Sequence, residues 1–84
     1  MNVDYYPTTD TPMAIFLIHS NHVLNHIEYE DKPDGRTQAT YLFVKTDGLL
    51  EDVNIFSRGD AEINIARYEH IRSSLLDRIM RRLP

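Results

Sequence analysis

The sequence predicts a small α+β domain of element order β-α-β-β-α-α, and three stretches carry that expectation. Met13 through Ile18 are six consecutive apolar residues between Pro12 and the polar run His19-Ser20-Asn21-His22. Lys32-Pro33-Asp34-Gly35 is a turn sequence flanked by two stretches rich in apolar and aromatic residues. From Ile65 to Arg82, apolar residues recur at helical spacing. At 84 residues the chain has room for one domain, spanning 1–84.

Taken in order, Val3-Asp4-Tyr5-Tyr6 reads as a short edge strand ending at Pro7, which lacks the N–H that a central strand would need. Thr8 to Asp10 is a polar turn. Thr11 then caps a helix with Pro12 at its first position, where a preset φ is useful and no amide is wasted. Asn21 is the left-handed stop, since Asn tolerates φ > 0. A helix apolar all round must be covered on more than one side, so this is the expected centre of the fold. Its six apolar residues fall far short of the ~20 that span a bilayer.

His22 to Tyr29 reads as a strand, with Val23, Ile27 and Tyr29 on one face and Leu24, His26 and Glu28 on the other. After the turn at 32–35, Ala39 to Lys45 returns as the second arm of a hairpin. Tyr41 and Phe43 share one face, Leu42 and Val44 the other. Apolar residues on both faces predict that more than one layer touches the sheet. Thr46-Asp47-Gly48 opens a helix with Leu49, Leu50, Val53 and Phe56 on one side and Gly59 as its stop. Asp60 to Ile63 is a connector, and Asn64 caps the last helix.

Composition excludes several function classes. No cysteine is present, which rules out disulfides, thiolate nucleophiles and cysteine-based zinc sites. The three glycines fall at turns and caps, and neither a G-x-G-x-x-G nor a Walker pattern occurs. Ser20, Ser57, Ser73 and Ser74 lie outside any G-x-S-x-G elbow, so acyl transfer is not expected. No cofactor is implied, and the protein is read as a non-enzyme. The first residues lack the basic-then-apolar pattern of a secretory signal, which makes a cytoplasmic, non-membrane protein the expectation.

The run Tyr5-Tyr6-Pro7-Thr8-Thr9-Asp10, then Ala14, Leu17 and Ile18 before the stop at Asn21-His22, resembles a family of short domains from bacterial and phage genomes. The strand Tyr41-Leu42-Phe43, the segment Phe56 to Gly59, the following Ala61 to Tyr68 and the Leu/Arg-rich C-terminal helix are similar too. Asn21 stands where members often carry Gly. The resemblance implies an α+β fold and brings no established activity. It is compatible with an accessory or inhibitory protein of a phage or mobile element.

His19, His22 and His26 lie within eight residues and are the metal or catalytic candidates. The break at Asn21 separates them, so each is expected to have its own structural task. Glu28-Glu30-Asp31 and Glu51-Asp52 read as solvated faces and helix-start charges. The charge is uneven: residues 1–66 carry four Lys/Arg against eleven Asp/Glu, and residues 67–84 carry five Arg against two acids. On the last helix the apolar arc spans about half the circumference, more than the ~100° that one packing contact needs. The excess, Leu76, Met80 and Leu83 with Arg72 in the middle of the arc, predicts either a second packing layer within the domain or a surface for a protein partner, with a second copy in a homodimer as the leading interaction. Arg72 is expected to lay its stem on the apolar face and reach water or Glu69; a buried ion pair and an interface role are the alternatives. Arg67, Arg78, Arg81 and Arg82 are the candidate phosphate contacts if the partner is instead a nucleic acid.

Overall fold

Why the chain folds around its first helix is visible in that helix's burial. The structure, a computed structural model, describes residues 3–82, without the side chain of Arg82; the sequence expectation for Leu83 lies outside this range. Its elements are β1 (Tyr5–Thr8), α1 (Thr11–His19), β2 (Leu24–Asp31), β3 (Thr37–Val44), α2 (Asp47–Ser57) and α3 (Ile65–Arg82). This is the α+β order that the sequence predicts. Ala14, Ile15, Phe16 and Leu17 of α1 are buried in succession, so α1 is covered on several sides at once. Helix α3 lies along one flank, α2 along another, and the sheet is beneath. Phe16 meets Phe56 of α2 with ring centroids 5.8 Å apart.

The cap of α1 differs from the expected one. Asp10, not Thr11, is the N-cap, and its Oδ1 accepts from the Met13 amide at 3.2 Å. Asp is the better acceptor for the free amides, and the Thr11 hydroxyl is engaged elsewhere, 3.1 Å from the Tyr41 hydroxyl. The other end is as expected. Asn21 has φ 68°, and the amides of Asn21 and His22 donate back to the carbonyls of Ile18 and Leu17 at 2.9 and 3.0 Å. That pair of bonds is a Schellman stop. It turns the chain sharply and fixes where His22 points.

The sheet is antiparallel with order β1-β3-β2. β1 and β2 therefore run parallel to each other with β3 between them, a split β-α-β arrangement. In the turn, Gly35 has φ 87° and donates to the Lys32 carbonyl at 3.0 Å. Tyr41 and Phe43 of the central strand are buried in the single core, which also takes in Leu49, Ile71 and Leu75.

Two sheet expectations need correction. Leu24 pairs with Phe43 and His26 with Leu42, with an irregularity between them that leaves Asn25 as an extra residue. A bulge of this kind shifts the alternation by one. Leu24 thereby joins the core with Ile27, while Val23 is exposed. The second correction concerns layering: the helices gather on the Tyr41/Phe43 face alone. Leu42 and Val44 on the other face are half-buried and lie outside the core cluster. Their cover comes from within the sheet, because Tyr5 stands opposite Val44 and both Pro7 and His26 stand opposite Leu42. Tyr5 and His26 close this cover with an edge-on ring contact at 5.8 Å. Cross-strand neighbours thus do what a second layer was expected to do.

Both edges of the sheet are defended. Pro7 interrupts the donor row of β1, and Glu28, Glu30 and Asp31 load β2 with negative charge. Either feature discourages another strand from adding.

Candidate interaction surface

Helix α3 carries most of the candidate residues, and its sequence explains its placement. Asn64 Oδ1 accepts from the Arg67 amide at 2.9 Å, which caps the helix as expected. Two contacts tie this end to the end of α1. The Asn64 amide donates to His19 Nε2 at 3.4 Å, and Arg67 Nη2 donates to Asn21 Oδ1 at 3.4 Å. Ile71 and Leu75 are buried against α1, with Tyr68 and Ile79 half-buried beside them.

The remainder of the apolar arc faces outward. Ile65 is 78% exposed, Leu76 41% and Met80 64%. At ~100° per residue these three fall within about 60° of one another, so they form one strip along the helix. Arg72 sits between this strip and the core line. It takes the route along the surface: its side chain is half exposed and Nη1 lies 3.8 Å from Glu69 Oε2. An exposed pair of this kind contributes little to stability, and it leaves the strip without a charge at its centre.

The arginines of the opposite side do not act as one unit. Arg81 is paired with Asp77 at 3.0 Å, and Arg67 is engaged by Asn21. Arg78 lines a groove of about 310 Å³ between α3 and the start of β2, together with Ile18, His22, Leu24, His70, Ile71, Ser74 and Leu75. A wider hollow of about 600 Å³ at the hairpin tip is walled by Lys32, Pro33, Asp34, Arg36, Thr37 and Gln38. Most of those residues are exposed, and it is the open bend of a turn.

The three clustered histidines go to three different partners. His19 meets Asn64, and His26 lies beside Asn25 and Glu28. His22 does more than pack after the cap. Its Nε2 lies 2.6 Å from Asp52 Oδ2 of α2, with side chains only 14% and 26% exposed. Asp52 is thus not the solvated helix charge that its sequence neighbourhood suggests. A carboxylate accepts only, so the shared proton belongs to His22 Nε2. One signal for this was present in the sequence. On a helical wheel Asp52 falls beside Leu49 and Phe56, at the border of the apolar face. Its partner, thirty residues away, was not legible.

His22 and Ser74 line this groove and Asp52 is bonded to His22, so the three have the composition of a catalytic triad. Their connection is incomplete: no hydrogen bond joins the Ser74 hydroxyl to His22 among the described residues. Among those residues no group of three His, Asp or Glu is placed to hold a metal ion, and no helix is long and apolar enough to cross a membrane.

No family model, curated protein or solved structure matches the chain.

Proposed function

We propose that this protein is a non-catalytic interaction module whose first partner is a second copy of itself, joined through the outer strip of α3. The carrying observation is the exposure of Ile65, Leu76 and Met80 along one side of a helix whose other apolar side is already buried. The area in hand suits a second copy. A globular monomer of 9.8 kDa exposes about 5,200 Å². This chain exposes 5893 Å², and the excess is of the same order as the ~800 Å² that one partner contributes to an ordinary interface. Both sheet edges are blocked by Pro7 and by acidic residues, which disfavours association by strand addition and favours the strip on α3. Around a two-fold axis, two α3 strips would pack antiparallel, with Arg72 of each protomer able to meet Glu69 of the other.

An accessory or inhibitory role in a phage or mobile element, which the sequence resemblance allows, suits a small module that acts by occupying surfaces. Sedimentation equilibrium tests the self-association. The wild-type chain should dimerise with Kd on the order of 10 µM, and Met80→Glu or Leu76→Glu should give a monomer with unchanged circular dichroism. A wild-type chain that stays monomeric at about 1 mM would remove this reading.

A further inference from the structure

The groove between α3 and the start of β2 has an apolar floor and a polar rim, and it lies on the opposite side of α3 from the Leu76/Met80 strip. Ile18, Leu24, Ile71 and Leu75 form the floor; His22, His70, Ser74 and Arg78 stand at the rim. Its volume of about 310 Å³ is at the lower end of the range of small-molecule sites. We infer that this groove binds a small monocarboxylate with an apolar tail.

The charge at the rim selects the head group. Arg72 and Arg81 already face Glu69 and Asp77, whereas Arg78 has no carboxylate partner among the described residues. An arginine keeps its charge at every accessible pH and offers a planar fork that fits a carboxylate with two parallel bonds. His22 adds no net positive charge, because Asp52 lies 2.6 Å from its Nε2 and offsets it. The rim therefore presents one uncompensated cation, with His70 and Ser74 as supplementary hydrogen-bonding groups. A monoanion matches that count. A dianion would bring a second charge that finds no cation at the rim, on a chain of formal net charge −4. The floor selects the rest of the ligand. Ile18 and Leu24 are only half-buried, and a short aliphatic chain laid on them would displace water from apolar surface without burying any polar group.

The test is a titration of the full ¹⁵N-labelled chain at neutral pH with hexanoate, followed by backbone amide shifts. Hexanamide, hexylammonium and inorganic phosphate serve as controls. Hexanoate should bind with Kd on the order of 1 mM, with shifts confined to Ile18, Leu24 and the 70–78 segment. Arg78→Gln should weaken it at least about tenfold, the loss expected when a charge-assisted bidentate contact is removed. Ser74→Phe, a substitution at an exposed helical position, should fill the groove and abolish the shifts while the fold is retained. Running the series on Met80→Glu as well keeps the result independent of self-association. Hexanoate that produces no saturable shift up to about 10 mM overturns the inference. So does hexanamide that binds equally well, phosphate that binds more tightly, or shifts that persist in Ser74→Phe.

Discussion

At the scale of single residues, Leu17 shows how pattern and burial agree. It is fully buried in α1, with Ile15 and Ala14 equally inaccessible beside it. Leu17→Ala should cost about 2–5 kcal/mol, a large part of the stability of so small a domain. Chemical denaturation checks this, and a loss below about 1 kcal/mol would place α1 at the surface. The His22–Asp52 pair is of a different kind. Both side chains are mostly buried and join the stop of α1 to α2 across 30 positions. A double-mutant cycle with His22→Ala and Asp52→Ala should give a coupling of about 1–2 kcal/mol, since each single change leaves the other group desolvated. A coupling near zero would make the pair incidental. Leu17 was legible in the sequence because six apolar residues in a row have nowhere else to go. Asp52 was not, because a partner thirty residues away leaves no mark on local pattern. Arg72 was partly legible: its position on the arc demanded an escape, and the nearest acid on the helix supplied it.

At the scale of elements, turn and stop chemistry proved the most readable. Asn21, Gly35 and Gly59 all have positive φ, and each was marked by its residue type. Gly59 at φ 80° closes α2 with the same pair of backbone bonds as Asn21 closes α1, from Gly59 and Asp60 to the carbonyls of Phe56 and Ile55. The start of α1 was less readable because Asp10 and Thr11 are both capping types in adjacent positions, and only tertiary contact decides between them. Tyr41 claims the Thr11 hydroxyl and leaves the amides to Asp10. Asp10→Ala should therefore cost about 1 kcal/mol, as loss of an N-cap does. Thermal denaturation of Asp10→Ala checks the assignment, and an unchanged melting temperature would return the cap to Thr11. The phase of β2 was misread at its start, Val23 and Leu24, for a related reason, whereas Ile27 and Tyr29 lie on one face as expected. A one-residue bulge at Asn25 reverses inside and outside, and strict alternation from Val23 carries no sign of it.

At the scale of the whole molecule, shape and charge determine what kind of partner is suited. The Cα radius of gyration is 13.4 Å, against about 12 Å for a compact chain of this length. The extents of 37 × 35 × 21 Å describe a thin slab, one sheet and one layer of helices. Part of the reason is the length of α3: its 18 residues span about 27 Å, twice the reach of the nine-residue α1 on which it packs. Beyond Leu75 its described side chains are exposed except for the half-buried Ile79. The projecting end is apolar on one side and basic on the other, and the basic side could be read as a nucleic-acid contact. Counting charges argues against that. Arg67, Arg78, Arg81 and Arg82 offer about four phosphate contacts at most, and two of the four are already held by Asn21 and Asp77. With about two to four contacts, the slope of log K against log salt is only about −2 to −4. The remaining 66 residues, with eleven acids against four bases, repel the polyanion. Fluorescence anisotropy with a labelled duplex should therefore show no binding tighter than about 100 µM at physiological salt. Self-association through the apolar strip should change little between low and high salt, because its driving force is burial of uncharged surface. The opposite pattern would exchange the two readings of α3: duplex binding near about 1 µM with a slope steeper than −3, abolished by Arg67→Glu, Arg78→Glu and Arg81→Glu together.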